Sequence, residues 1–395
     1  MFDEFAMLPI AYTGQLPATA ETCNAYNTVV SPEDFATARA EITAWDGYAI
    51  TPLYHLRNLA AALGVGAIHY KDEGPRFGLG SFKALGGAYA GLRVLQRALA
   101  ELGETATLAD IVSGQQAQAV AKLTLASATD GNHGRSLAWG AQRFGAPCQI
   151  YIHAEVSESR AQTMRDLGAK VTRINGDYDA SVAQLRDDAK ANGWFVVSDT
   201  SWPGYTQAPR DVMAGYGVMV HEVQQQLKQP PTHIFLQGGV GGLAAAVAGL
   251  SRQHWGSAAP RLLVVEPELA ACLFASAKAG ALTHFPIIEE TLMAGLSCGE
   301  PSPMAWEVLR EQISGFITIP EPLVAPSMQI LGRPLGDDPV IVAGESAVAG
   351  LAGLIAATKQ TRLRKTLGLN ADSRVLLIGS EGATDIGIYE RLMAQ

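Results

Sequence analysis

The sequence predicts a two-domain α/β protein in which each domain is a mostly parallel, twisted sheet covered by helices, and three observations lead there. Short apolar, β-rich runs alternate with longer stretches in which Ala and Leu fall at helical spacing, the pattern of strand-helix-strand units. The chain has 395 residues, 48% hydrophobic and 17% charged, enough to fill more than one ordinary core. No internal repeat, low-complexity run or Pro/Ser-rich linker marks a clean boundary, so the two domains are expected to interleave along the chain.

The predicted strands, in order, are CQIYIH (148–153), KVTRI (170–174), WFVVSD (194–199), HIFLQG (233–238), RLLVVEP (261–267) and VLLIGS (375–380). Helical segments such as GRSLAWGAQRFG (134–145) and GGLAAAVAGLSRQ (241–253) follow or precede them. Alternation of this kind implies parallel pairing with helices on both faces. Parallel sheets present ligands at the carboxyl ends of their strands, so the loops after these runs are expected to carry the chemistry.

The formal charge of −9 comes from scattered acids, and no Lys/Arg stripe tracks phosphates, which argues against nucleic acid as a partner. The start, MFDEFAMLPIAYTG, lacks a basic segment followed by a sustained apolar one. No stretch of about 18 uninterrupted apolar residues follows, so no membrane association is expected and a cytoplasmic location is. The cysteines Cys23, Cys148, Cys272 and Cys298 are too sparse for a disulfide framework and lack zinc spacing, so reduced thiols and no metal are expected. The sharper alternative brings Cys272 and Cys298 together near a substrate pocket, where they oxidise.

Four loops carry candidate chemistry. In KDEGPRFGLGSFKALGGAYA (71–90), Lys83 follows a Gly-rich turn and Ser81-Phe82. An amine that attacks a carbonyl must first lose its proton, which an apolar setting favours. Gly78, Gly80, Gly86 and Gly87 are expected to allow tight turns and close approach of backbone to a planar ligand. Taken alone, Lys83 reads as a surface lysine. In SATDGNHGRS (127–136), backbone N–H groups and a helix N-terminus suit a carboxylate. There Asn132 is placed to bond a phenolic oxygen and Asp130 to act beside a reacting Cα–H, while a helix-capping Asp130 and a structural His133 are the plainer readings.

The third loop, Gly238-Gly239-Val240-Gly241-Gly242, directly after a strand and opening a helix, is a phosphate cradle. Gly239, Gly241 and Ala244 also satisfy G-x-G-x-x-A, with Glu266 roughly where a ribose-binding acid would lie, so a dinucleotide site is a rival reading. In the fourth, LLIGSEGATD (376–385), Ser380 at a strand edge either bonds a pyridine nitrogen or is an ordinary turn serine. VVSDTSWPGY (196–205) places Asp199 at a strand terminus, as a turn acid or a second active-site carboxylate.

The SFK segment with its Gly-rich lead, the GNH loop, the GGVGG loop and the C-terminal Ser loop, in this order, resemble the fold type II pyridoxal-phosphate (PLP) enzymes. Within that group KDEGPRFGLGSFK, ATDGNHGR, DTSWPGYT, VVEPELAAC and AGLSCGEPSP resemble the diaminopropionate ammonia-lyases, so the similarity runs across most of the chain. The resemblance implies PLP held by Lys83 as a Schiff base, with Phe82, Asn132, Gly238, Gly239, Val240, Gly241, Gly242 and Ser380 around it. It assigns Ser81, Thr129, Asp130, His133 and Asp199 to the amino-acid substrate. Lys83 would take the α-proton of L-diaminopropionate and Asp130 that of the D isomer from the opposite face, with Asp199 as the supporting acid. The released aminoacrylate would hydrolyse to pyruvate and ammonia. A hydroxyl at the pyridine nitrogen makes a weaker electron sink than a full proton would, which favours elimination over transamination.

The same resemblance implies residues 1–88 with 228–395 as a discontinuous large PLP-binding domain, 89–227 as a small domain carrying the Asn132 loop and Asp199, and a homodimer. The alternatives are a serine/threonine dehydratase or other β-eliminating or β-replacing enzyme of this fold, against which Asp130 argues. More remote are a nucleotide-dependent dehydrogenase using GGVGGLA, and a non-catalytic ligand-binding protein.

Overall fold

The structure is a computed structural model that describes residues 2–14, 25–129, 131–176 and 178–395. Cys23 and Asp130 lie outside the described residues. Two compact units emerge, one of Met1–Val29, Ile50–Ser81 and Met219–Gln395, the other of Val30–Ala49 and Phe82–Val218.

Among the described residues the larger unit is built on a seven-stranded sheet of order β1-β10-β9-β8-β11-β3-β2. Its strands are β1 (Ala11–Gly14), β2 (Leu53–His55), β3 (Ala67–Asp72), β8 (His233–Gln237), β9 (Arg261–Pro267), β10 (Gly315–Ile319) and β11 (Arg374–Gly379). The five central strands run parallel, and β1 and β2 close the two edges antiparallel. The β8 strand and most of β9 are buried along their whole length, as a sheet covered on both faces requires. Ile68, Phe235, Val265, Ile317, Leu351 and Val375 belong to one buried apolar cluster.

The smaller unit carries a four-stranded parallel sheet, β6-β5-β4-β7, from β4 (Leu125–Ala128), β5 (Cys148–Ile152), β6 (Lys170–Arg173) and β7 (Phe195–Val196). All six sequence-predicted strands are present. The sequence reading missed β1, β2, β3, β4 and β10, several of which, such as LASA in β4, are short or built from small and polar residues with weak strand preference.

The division of the chain differs from the expected 88/89 and 227/228 boundaries. The helix Lys83–Glu101 belongs whole to the smaller unit, because it packs against the helix Asn132–Phe144. Gly140 lies so close to Ala88 that a Cβ there would stand 2.8 Å from the Ala88 Cα. Residues 30–49 join the same unit, with Trp45 meeting Trp139 and Phe144 edge-on at centroid distances of 5.8 and 5.9 Å. The boundary at 218/219 falls inside the helix Gln207–Gln226.

In the larger unit, a buried ionic cluster holds the segment that leads toward Lys83. Arg76 donates to Glu73 through Nε and NH2 at 2.8 Å each, and to Glu222 through NH1 and NH2 at 2.8 Å each. Lys71 Nζ donates to Glu222 at 2.7 Å, to the Thr51 carbonyl at 2.8 Å and to Gln226 at 2.9 Å. Two cations thus balance two carboxylates, and all four charges are at most 1% exposed. Such pairs resist removal of one partner more than they add net stability. They pin a turn in which Phe77 adopts φ of +50°, a left-handed conformation that costs a bulky side chain about 1–2 kcal/mol.

Candidate active site

In the smaller unit, Lys83 opens its helix just after Phe82. The first turn is held from outside, since Ser136 Oγ donates to the Lys83 carbonyl at 2.6 Å and accepts from the Ala88 N–H at 3.0 Å. Gly86 and Gly87 serve this packing, whereas the sequence reading gave them to a ligand. A Cβ on Gly86 would stand 2.4 Å from the Tyr216 ring and one on Gly87 2.6 Å from Ser136 Oγ. Gly78 and Gly80 do shape turns, at φ of +69° and +80°.

Lys83 Nζ donates to Asp199 Oδ2, across 116 positions of sequence. The ammonium also sits 5.6 Å from the Phe82 ring centroid and 6.0 Å from that of Tyr216, aromatic faces that favour a cation. His133, buried at 6% exposure, places Nδ1 4.0 Å from Asp199 Oδ2. Its Nε2 lies 2.9 Å from the Val197 carbonyl. A carbonyl only accepts, so Nε2 carries the proton and a neutral ring leaves Nδ1 as a bare lone pair, which has no hydrogen-bond partner among the described residues.

Burial works to raise the Asp199 carboxyl, but the Lys83 ammonium and hydrogen bonds outweigh it and hold the acid well below the ordinary carboxylate range. Burial lowers His133 in the first place, Asp199 opposes this and Lys83 adds to it, leaving the imidazole below its usual value. The cluster at neutral pH is therefore an anionic carboxylate between a lysine and a neutral histidine.

Asp199 is set in place by residues the sequence reading did not single out. Trp202-Pro203-Gly204-Tyr205 is a tight turn, with Tyr205 N–H donating to the Trp202 carbonyl at 2.9 Å and Gly204 at φ of +83°, the Pro-Gly signature of a type II turn. Its rings stack at 3.9 Å and 8°, and Arg186 lies 4.7 Å over Trp202. The Tyr205 hydroxyl accepts from the Ser198 N–H and donates to the Val196 carbonyl, both at 2.9 Å. It thereby clamps the end of β7 that leads to Asp199. The Pro-Gly pair was the available signal.

The remaining candidates take the following places. Thr129 is buried, and its hydroxyl accepts from the Gly131 and Gly134 N–H groups at 3.1 and 3.2 Å, shaping the loop. Asn132 is the first residue of its helix. In the larger unit, Ser81 is buried and its backbone bridges Glu381, and Ser380 is buried at the end of β11.

The Gly238–Gly242 loop follows β8 and opens the helix Gly242–Trp255, whose N-cap Gly241 offers no side-chain cap. Gly239 and Gly241 have φ of +65° and +98°. A Cβ on Gly239 would meet nothing nearer than the Gly295 carbonyl, Leu296 and Cys298 at 3.6–3.8 Å. Uncapped N–H groups at a helix start beside a small open cradle fit a phosphate group. The rival dinucleotide reading fails at Glu266, which is fully buried and holds the Leu273 and Phe274 N–H groups at 3.0 and 2.7 Å instead of facing a ribose.

Cys272 and Cys298 are both thiols, close enough that Cys298 contributes to raising the buried Cys272 after burial and Glu266. Among the described residues, no group of three or more His, Cys, Asp or Glu is arranged to hold a metal ion. Among the described residues no helix is long and apolar enough to cross a membrane.

Comparison with known proteins adds an independent finding. Residues 44–381 match the family model described as pyridoxal-phosphate dependent enzyme. The chain is 38% identical over 354 residues to the diaminopropionate ammonia-lyase of Escherichia coli (strain K12), covering 88% of each. Two crystal structures of the E. coli lyase are similar over 98% of this chain and 97% of theirs. The one in complex with D-serine has a TM-score of 0.88 at 35% identity. The other, in complex with an aminoacrylate-PLP azomethine reaction intermediate, has 0.85 at 35%. The half-buried lysine, the glycine cradle and these likenesses agree, and the chain belongs to the pyridoxal-phosphate-dependent enzymes, among the diaminopropionate ammonia-lyases.

Proposed function

We propose that the chain uses PLP to convert 2,3-diaminopropionate, as either the D or the L isomer, with water into pyruvate and two molecules of ammonia. The observation that carries this reading is the Lys83-Asp199-His133 cluster in a chain so similar to the E. coli lyase. Lys83 would hold the cofactor, the Gly238–Gly242 cradle its phosphate, Asn132 its phenolic oxygen and Ser380 its ring nitrogen, with Phe82 beside it. When bound, PLP supplies a conjugated electron sink for the bond broken at the α-carbon.

The protein's own groups then move protons. Lys83 Nζ takes the α-proton of the L isomer, and Asp130 takes that of the D isomer from the opposite face. Asp199, held ionised, bonds the β-ammonium and steadies it until the Cβ–N bond breaks. The bare Nδ1 of His133 faces the same carboxylate and adds an acceptor. Ser81 and Thr129 would each contribute to holding the substrate. A charged hydrogen bond of this kind contributes about 1.5–3 kcal/mol, so a β-hydroxyl, which carries no charge, is expected to react roughly 10- to 100-fold more slowly. D-serine is therefore a slow substrate in this reading.

We also place the enzyme in the cytoplasm and, as its resemblance suggests, read it as a homodimer. Light scattering of the purified protein decides the oligomer.

The deciding test is a visible spectrum of purified protein with and without L- and D-2,3-diaminopropionate, assaying pyruvate and ammonia, in wild type and Lys83→Ala. The reading expects a cofactor band altered in the variant and pyruvate formed faster from diaminopropionate than from serine. Faster turnover of serine would make the chain a dehydratase.

A further inference from the structure

Glu266 was singled out in the sequence and then left without a role when the ribose reading failed. It is the next-to-last residue of β9, immediately beneath the glycine cradle. A Cβ on Gly238 would stand 2.4 Å from the Glu266 Cγ and 3.1 Å from its Cδ, so the carboxyl packs directly against the backbone of the cradle's first residue. The thiol of Cys272 links the two, donating to the Gly239 carbonyl at 3.6 Å and lying 3.9 Å from Glu266 Oε1.

We propose that Glu266 is a proton-holding residue beneath the phosphate cradle, so that an organic phosphate entering the Gly238–Gly242 loop is accompanied by uptake of a proton at this carboxyl. The inference rests on the cofactor reading above, since it takes the loop to be a phosphate site.

Two features of the geometry drive it. First, Glu266 has 0% exposure, and its partners are the Leu273 and Phe274 N–H groups and the Cys272 thiol. No cation is among them. The titratable groups facing it are Cys272 from the following helix and, across the cradle, Cys298, which would lie 3.8 Å from a Cβ on Gly239. An uncompensated carboxylate in such a place neutralises itself by taking a proton. In accord, burial pushes the acid up to about 8, against the opposing pull of the Leu273, Phe274 and Cys272 hydrogen bonds.

Second, the cradle's ligand is itself an anion, carrying nearly two negative charges above pH 7. A like charge in the same low-dielectric pocket disfavours ionisation of the carboxyl further. By linkage, the phosphate then binds more weakly wherever the free protein has lost that proton. The balance is simple: one proton moves from solvent to a Glu266 oxygen as the phosphate binds, and leaves when the phosphate leaves.

The test uses pyridoxine 5′-phosphate, which has the phosphate and ring but no aldehyde, so that nothing forms at Lys83. Calorimetric titration of cofactor-free protein at pH 9 in two buffers of different ionisation enthalpy reads protons taken up per ligand. The expected result is an uptake above one half in wild type and near zero in Glu266→Gln. Affinity is expected to fall up to tenfold per pH unit above about pH 8 in wild type, and to stay level in the variant.

Equal uptake and equal slopes in the two proteins would overturn the proposal. Should the variant not fold, difference infrared spectroscopy of wild type at pH 9 replaces it. A protonated-carboxyl band gained on ligand binding supports the proposal, and its absence defeats it. Failure of pyridoxine phosphate to bind at all would instead remove the cofactor reading, and this inference with it.

Discussion

Lys83 donates its Nζ to Asp199 Oδ2, with the two side chains 19% and 16% exposed. The pair joins the first residue of a helix to a residue three positions beyond the end of a strand. Its carboxylate forms an ion pair with Lys83, which places an opposite charge beside that amine.

Asp199→Asn keeps the shape and removes the charge. Activity toward diaminopropionate is expected to drop on the order of 100-fold, and toward serine by less, measured as kcat/KM for each. Stability has a defined sign as well. The folded carboxyl is held below its unfolded value, so its contribution is present above about pH 4 and lost as pH falls below that. Denaturant midpoints of wild type and variant should therefore differ most above about pH 4 and draw together progressively as pH falls below that.

Gly241→Ala tests the cradle. At φ of +98° an added Cβ would also stand 2.9 Å from Leu309 and 3.2 Å from Ala305, a strain of about 1–3 kcal/mol. Purified variant should carry much less cofactor, read as the ratio of visible to ultraviolet absorbance. Gly103→Ala, with φ of +82° and open space around it, should leave that ratio unchanged.

Arg76→Ala leaves Glu73 and Glu222 buried without their shared guanidinium. The loss is expected to be about 3–5 kcal/mol in chemical denaturation. Arg76→Lys should recover only part of it, because one ammonium cannot grip two carboxylates in the fork geometry of an arginine.

Tyr205→Phe deletes the hydroxyl that bridges Ser198 and Val196 while keeping the ring stacked on Trp202. A stability loss of about 1–3 kcal/mol is expected, visible as a lower melting temperature. If the clamp orients Asp199, kcat/KM for diaminopropionate should fall about 10-fold more than for serine.

Local chemistry was readable without coordinates. The glycine cradle after a strand, the Pro-Gly turn and the six long apolar runs follow from backbone preferences that act over a few residues, and the motif order pointed to the cofactor class. Contacts between distant segments were not readable. The partnership of Lys83 with Asp199, the packing of Gly86 against Tyr216 and the burial of Glu266 beneath Gly238 each depend on which helix covers which sheet. The assignment of residues 30–49 to the smaller unit is of the same kind, decided by Trp45 finding Trp139. Residue type and spacing determined which groups could do the chemistry. Only the tertiary structure decided which of them lost water and gained a charged neighbour, because desolvation and short-range electrostatics depend on distance in space and not on distance along the chain.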